Sequence, residues 1–289
     1  MKISGFTIIK NAVINDYPIV EAIQSILPVV DEMIVSIGDS EDSTEQLIQS
    51  INSPKIKIVH SVWDPSIRKG GKILAVETDK AMQHISPDAD WAFYIQGDEV
   101  LPEQYQQAVR AAAEKYKDDK RVDGLLFKYL HFYGSYDYVG DSRKWYNYEI
   151  RVIKNDKTIT AYKDAQGFRR NGKKIKVKVI DACIYHYGWV KTPAQMKKKM
   201  KEVSRFWNED TDEWRNFIKS EDVFGFDDYD SLALFTGKHP AVMENRIKNY
   251  FKLDLDIKKK NFSLKNRLLY WFEKKTGIRP FSFKNYRII

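Results

Sequence analysis

The chain has 289 residues, 43% apolar and 30% charged, a composition that builds a folded domain with a sizeable core and excludes a disordered or collagen-like polymer. Its single cysteine, Cys183, excludes an internal disulfide and a cysteine-built metal site, and no apolar run approaches the ~18 residues of a membrane span. The net charge of +8 is unevenly placed: residues 1–190 hold 26 Lys+Arg against 26 Asp+Glu, whereas residues 191–289 hold 22 against 14.

The first residues lead straight into an apolar run and lack the basic, apolar and small-residue parts of a signal peptide, which predicts a cytoplasmic protein. Phe6 to Ile9 reads as a strand. Ile19, Val20, Ile23, Ile26 and Leu27 then mark one side of a helix that ends at Pro28. Met33 to Val35 with Ile37 is a second strand, and Asp42-Ser43-Thr44 can cap a helix running through Leu47 and Ile51. Ile56, Ile58 and Val59 form a third strand. Gly70-Gly71 opens a helix carrying Ile73, Leu74, Val76 and Ala81. Trp91 to Ile95 is a fourth strand, apolar on both faces. Pro102 begins a helix continued by Val109 and Ala111 to Ala113, and Val122 to Phe127 is a fifth strand. Alternating strands and helices with short connections imply an α/β fold with a mostly parallel, Rossmann-like central sheet.

From about 130 to 190 aromatics cluster, and strand-like runs at Glu149 to Ile153 and Ile175 to Tyr185 predict an antiparallel extension beside an acceptor-facing loop. Cys183 lies in the second of these runs, a core position rather than a nucleophile. Beyond 192 the chain reads as helical. Met196, Met200, Val203 and Trp207 mark an apolar face, while Lys197 to Lys199 and Lys201 mostly point elsewhere. An acidic, aromatic stretch over 209–230 reads as a loop-rich connection, followed by helices near 240–251 and 263–275. The organisation expected is a ligand-binding and catalytic domain over 1–190 and a basic helical region over 191–289.

In an open α/β sheet the ligand sits at the carboxyl ends of the strands, near the switch in strand order. Lys10-Asn11 follows the first strand, Gly38 to Thr44 the second, and Gln96-Gly97-Asp98-Glu99 the fourth. These polar segments can line one cleft. Carboxylates held together there need a nearby cation or donors, and a divalent metal on diphosphate oxygens would supply that charge. The alternative is that Asp42 is a helix N-cap and Asp98-Glu99 merely begins a turn.

The segment Ile34-Val35-Ser36-Ile37-Gly38-Asp39-Ser40-Glu41-Asp42-Ser43-Thr44 resembles the aspartate-rich turn after the second strand of family 2 glycosyltransferases of the GT-A fold. Trp91 to Glu99 resembles the strand that ends in their Asp-x-Asp motif, and Ile184-Tyr185-His186-Tyr187-Gly188-Trp189 is similar to a later His-Tyr-Gly segment of a bacterial surface-polysaccharide subgroup. The resemblance covers roughly 1–200. It departs where Gln96 replaces the first aspartate of Asp-x-Asp, and where Ile37 and Gly38 stand in place of aspartates that read the base.

The resemblance implies a glycosyltransferase that takes sugar from a nucleotide diphosphate sugar, with Mg2+ or Mn2+ held by Asp98 and His186. It implies donor contacts from Thr7, Lys10, Asn11, Asp39, Asp42, Lys72, Gln96, Gly97 and Lys191. Lys197 and Lys198 can also offset diphosphate charge, or form a solvated helix face. Inverting transfer needs a base for the acceptor hydroxyl. Asp164 is the expected base, with Glu149 and Asp181 as rivals; Arg151, Arg169 and Arg170 are candidates for phosphates or an anionic acceptor. Glu149 and Arg151 share a strand face and can equally pair with each other. His186 has a structural reading too.

Residues 245–289 hold 13 basic and 3 acidic residues. Leu264, Leu268, Trp271 and Phe272 beside Lys265, Arg267, Lys274 and Lys275 suit a helix lying on an anionic membrane, as a lipid-linked acceptor would favour. The alternative is a helix packed on the domain with its lysines in water. The expected acceptor is a glycan or lipid-linked sugar in surface-polysaccharide synthesis. Two rival functions are a catalytically inactive glycan- or membrane-binding protein on the same scaffold and a nucleic-acid-binding protein. The aromatics carry no RNA-module motif, so nucleic acid is not an expected partner.

Overall fold

The computed structural model describes residues 1–67, 69–207, 212–220 and 222–289, with backbone only for residues 205, 207, 213, 214, 217 and 218. The chain begins β1 (Ile3–Ile9), α1 (Ile19–Ile26), β2 (Glu32–Ile37), α2 (Thr44–Gln49), β3 (Ile56–His60), α3 (Lys72–Met82) and β4 (Trp91–Tyr94). A two-residue strand, β5 (Glu99–Val100), precedes α4 (Gln106–Tyr116), and β6 (Gly124–Tyr133) follows. Then come β7 (Tyr138–Gly140), β8 (Tyr148–Lys154), β9 (Ile159–Tyr162), β10 (Gly167–Arg170), β11 (Lys173–Lys174) and the long β12 (Lys176–Trp189). The remainder is α5 (Pro193–Trp207), α6 (Asp212–Lys219), β13 (Leu232–Leu234), α7 (Glu244–Lys248), α8 (Leu264–Thr276) and β14 (Arg287–Ile288).

The parallel strands β3, β2, β1 and β4 lie side by side in that order. The chain winds outward from β1 to β3 and then crosses back to β4, so the strand order switches between β1 and β2 on one side and β1 and β4 on the other. This is where a doubly wound sheet opens a crevice. Antiparallel β8 separates β4 from β6, and β12 runs parallel to β6. The expected α/β architecture is therefore present; the run 149–153 is antiparallel as expected, whereas the run 175–185 enters β12 and pairs in parallel with β6, while β7 and β13 are also antiparallel.

Side-chain alternation along β4 divides the core into two layers. Trp91, Phe93 and Ile95 pack with α1 and α4, whereas Ala92 and Tyr94 face α3. On α1, Ile19, Ala22, Ile23 and Ile26 are fully buried at helical spacing, and each buried isoleucine contributes about 1.5–3 kcal/mol. Cys183 is buried as expected, and burial pushes its thiol up to about 12.

Several elements differ from the sequence expectation. Residues 159–174 form a separate three-stranded sheet, β9–β10–β11, turned by Lys163, Ala165 and Asn171 with positive φ. The stretch read as loop-rich, 209–230, contains α6, and part of it, 209–211 and 221, lies outside the described residues, as do residue 208 and the Trp207 side chain. The helix expected at 240–251 is a 3-10 turn over Ala241–Met243 followed by the single turn of α7. The segments after 190 return to the sheet. Arg246 pairs with Asp16 at 2.8 Å and Glu21 at 2.9 Å, and β14 extends β12 in parallel. Among the described residues no helix is long and apolar enough to cross a membrane.

Candidate functional site

At the end of β1, Asn11 adopts φ 52°, and its side-chain Oδ1 accepts from the Glu41 amide at 2.8 Å. Its own amide donates to Ser40 Oγ at 3.0 Å, so the loops after β1 and β2 are tied together. Asp42 completes the tie: its carboxylate accepts from the Ile14 amide at 2.8 Å and from the Thr44 amide at 3.0 Å. Asp42 thus clasps the loops and opens α2, and it does not line the cleft.

Lys10 lines the cleft and pairs with Asp39 at 2.8 Å. Burial raises the Asp39 pKa, but Lys10 and the Trp63 amide outweigh it and hold the carboxyl below its ordinary value. Trp63, just after β3, forms part of the cleft wall. A Cβ on Gly38 would lie 2.6 Å from Trp63 Nε1, so the seat of the indole leaves room only for a glycine there.

The turn after β4 supplies the other wall, with Gln96, Gly97 and Asp98 beside Tyr17 and Tyr94. Its position is set by Glu99 and Val100, which pair antiparallel with His186 and Tyr185 of β12. The Asp98 carbonyl accepts from the Tyr187 amide at 2.8 Å. Asp98 Oδ2 consequently lies 3.7 Å from His186 Nε2 and 3.1 Å from Lys199 Nζ. Gly188 is required here, since a Cβ would sit 2.6 Å from both Asp98 Oδ2 and His186 Nε2. Burial would raise the Asp98 pKa; the Lys199 and His186 charges more than offset it and hold the carboxyl well below the usual range.

Glu99 faces away from the cleft. It is fully buried and bonded to the Arg151 guanidinium, with Arg151 Nε at 2.7 Å from Oε2, and to the Tyr129 hydroxyl. The Gln96 amide donates to the same carboxylate at 3.1 Å. This buried pair therefore holds the Asp98 turn. Arg151 meets Glu149 only at 3.7 Å, so the pairing expected within β8 is secondary to the one with Glu99.

Of the other expected site residues, Lys191 is 1% exposed, donates to the Asp16 carbonyl at 2.7 Å and lies beneath the Tyr17 ring. Burial, followed by the neighbouring Lys199 charge, lowers its pKa to about 7. Thr7 is fully buried within β1, its hydroxyl directed to the Ile8 carbonyl, and Lys72 is exposed at the start of α3; neither lines the cleft. Lys197 bonds Ser220 and the Asp222 carbonyl, and Lys198 is exposed. Arg169 is bound to Asn285, and Arg170 to Asp123 and Asp156, so both arginines hold the fold together.

Asp164 is half-buried in the turn between β9 and β10, and burial raises its pKa. Glu149 is 4% exposed and is pushed up to about 8, mainly by burial, with the Glu99 and Asp164 charges adding to it and Arg151 opposing it. Asp181 is exposed and paired with Lys128, and it is buried in no site.

Asp98 and His186 together give a divalent ion two protein ligands. Among the described residues no group of three His, Cys, Asp or Glu side chains could hold one, and the Lys199 ammonium already stands against Asp98 Oδ2. A metal there would have to displace this cation and take its remaining ligands from diphosphate oxygens, so Lys199 and a divalent ion compete for the same carboxylate.

Sequence reasoning missed Trp63, Tyr17 and Lys199. Trp63 carried a signal, an indole three residues past the end of β3. On α5, Glu202, Val203 and Phe206 line the cleft, Lys199 one turn earlier reaches Asp98 behind its wall, and Phe206 meets Trp63 with ring centroids 5.5 Å apart. His131 was also missed. It packs 5.2 Å from His186 and 5.1 Å from Trp145, and burial followed by the His186 charge drives its pKa well below the ordinary value.

No family model matches this sequence, and no curated protein matches it. Among solved structures the chain is similar to S. aureus TarS, with 15% identity and a TM-score of 0.42 over 70% of this chain and 39% of that one. It is similar to glucosyl-3-phosphoglycerate synthase from Mycobacterium tuberculosis in complex with Mn2+, uridine diphosphate and phosphoglyceric acid, with 22% identity and a TM-score of 0.32 over 45% of this chain and 43% of that one. It is also similar to 4-diphosphocytidyl-2C-methyl-D-erythritol synthase from Anaerococcus prevotii, with 13% identity and a TM-score of 0.41 over 70% of this chain and 94% of that one. The chain thus spans 39% of the length of TarS and 43% of that of the mycobacterial synthase.

Proposed function

We propose that this chain is a GT-A-type glycosyltransferase that passes a sugar, with inversion, from a nucleoside diphosphate sugar to a glycan or lipid-linked acceptor in surface-polysaccharide synthesis. The observation that carries the reading is the convergence of Lys10 with Asp39, Gln96-Gly97 and Asp98 at one crevice, at the carboxyl ends of β1, β2 and β4, with His186 beside Asp98. Trp63 offers the nucleobase a flat apolar surface, and the Gln96-Gly97-Asp98 turn faces the diphosphate. As the bond to the anomeric carbon breaks, negative charge grows on the leaving diphosphate, and cations at the cleft stabilise it.

The acceptor hydroxyl must lose its proton as it attacks. In this reading Asp164 takes it, and Glu149 is the second candidate, favoured by a pKa near 8 that suits a base working near neutrality. The aromatic and histidine surface of His131, Trp145, Tyr146 and Trp189, adjoining His186, is the proposed seat of the acceptor.

The basic tail is proposed to hold the protein on an anionic membrane face. On α8 Leu264, Leu268 and Trp271 are 80%, 70% and 56% exposed, and Phe281 and Phe283 continue the apolar surface at 89% and 76%. Lys265, Arg267, Lys275 and Lys284 surround it, a charge pattern that attracts anionic headgroups and repels a second copy.

The test is incubation with a panel of nucleoside diphosphate sugars, following slow hydrolysis of the donor in the absence of acceptor. Release of sugar that Asp98→Asn abolishes supports the reading. A second reading, a catalytically inactive binding protein, is favoured by Gln96 in place of a carboxylate, and it predicts no donor hydrolysis at all.

A further inference from the structure

We propose that the Lys199 ammonium, rather than a divalent metal, is the cation that binds the donor's diphosphate. This rests on the proposed use of a nucleoside diphosphate sugar and assigns the charge that such a site needs.

The position of Lys199 is built from several sides. Its Nζ lies 3.1 Å from Asp98 Oδ2 and 2.9 Å from the Gly188 carbonyl, and 5.0 Å from the centre of the Tyr17 ring. Its side chain is 15% exposed. An ammonium has three N–H donors. Asp98 and Gly188 accept two of them, which leaves one for a phosphate oxygen brought in beside Asp98.

The neighbouring lysines cannot serve in its place. Lys197 is committed to Ser220 and Asp222, Lys198 is exposed to solvent, and Lys191 is directed to the Asp16 carbonyl behind Tyr17. Helical phase selects Lys199, because it shares a face with Glu202, Val203 and Phe206, all of which line the cleft. Two carboxylates at the site already face side-chain cations, Asp98 with Lys199 and Asp39 with Lys10, and Glu202 also lines the cleft. An incoming diphosphate would compete with these carboxylates for the two ammonium groups, with the His186 imidazole beside them. Gln96 fits this arrangement, since an amide in the first Asp-x-Asp position offers no charge to a metal and needs none.

The experiment is isothermal titration of the full chain with UDP, GDP, CDP and ADP, first in EDTA and then in Mn2+, together with Mn2+ electron paramagnetic resonance. At least one nucleotide is expected to bind wild-type protein in EDTA, and Mn2+ should not tighten it by more than about threefold. Lys199→Ala should weaken that binding in EDTA by roughly 10- to 100-fold, the size of one charge-assisted hydrogen bond, and Lys199→Arg should restore part of it. With Lys199→Ala the six-line signal of free Mn2+ should also fall, as it should not with wild type, because Asp98 and His186 are then released. Wild-type binding that EDTA abolishes and Mn2+ restores would overturn the proposal while leaving the transferase reading intact, as would a Lys199→Ala variant that binds as tightly as wild type in EDTA. Absence of nucleotide binding in either condition would remove the transferase reading and this proposal with it.

Discussion

Glu99 and His186 are register partners across the antiparallel pairing of β5 with β12, and that pairing brings the carboxylate of the preceding residue, Asp98, to 3.7 Å from the His186 imidazole. Glu99 itself turns into the core toward Arg151. Adjacent acidic residues thus have opposite fates, one facing the cleft and the other anchoring it, because successive side chains of a strand point to opposite faces.

Asp98→Asn removes the only charge facing Lys199 and His186 from the β4 turn. Donor hydrolysis should fall by about 100-fold or more, the scale of losing a preorganised charged group. The circular dichroism spectrum should remain that of the wild type. Retained turnover would remove Asp98 from the mechanism.

Arg151→Leu leaves the Glu99 carboxylate buried without its partner. The variant should lose about 3–5 kcal/mol in urea denaturation, whereas Glu99→Gln combined with Arg151→Met should recover much of that loss. Equal stability of the single and double variants would show that the pair does not anchor the turn.

Glu149 makes stability depend on pH with a definite sign. Its folded pKa, about 8, lies above the ordinary value of 4.5, so the folded state binds more protons than the unfolded chain between those values. The stabilisation is complete below the unfolded pKa and is lost as pH rises through about 8. Wild type should lose on the order of a few kcal/mol across this window, and Glu149→Gln should flatten the profile.

The same residue separates the two candidate bases. If Glu149 accepts the acceptor's proton, transfer rate should rise with pH to a midpoint near 8, and Glu149→Gln should abolish that limb. If Asp164 does, Asp164→Asn should remove activity and Glu149→Gln should leave the pH profile of transfer unchanged.

Leu268→Glu and Trp271→Glu change exposed positions on α8 and should leave thermal stability unchanged. Sedimentation with vesicles containing anionic lipid should fall by at least about 10-fold, since burial of each apolar side chain in the interface is replaced by a repelled charge. Point substitutions are preferable to deletion of the tail, because β14 pairs with β12 and Asn285 binds Arg169. Unchanged sedimentation would exclude the docking role.

The alternation of strands and helices along the chain, the stripes of α1 and α3, and the polar ends of β1, β2 and β4 were legible in the sequence, because periodicity and strand-end composition arise from contacts within a few residues of each other. The resemblance pointed to Asp98 and His186, but only the pairing of β5 with β12 put them side by side. Tertiary structure also decided which lysine of the run 197–199 reaches Asp98, since a helix's rotational phase is set by what it packs against. Lys199 and Asp98 are 101 positions apart. It made Arg151 the partner of Glu99 rather than of its strand neighbour Glu149, made Asp42 a clasp and buried Thr7. Each of these depends on register and burial across distant segments, which no local pattern of residues carries.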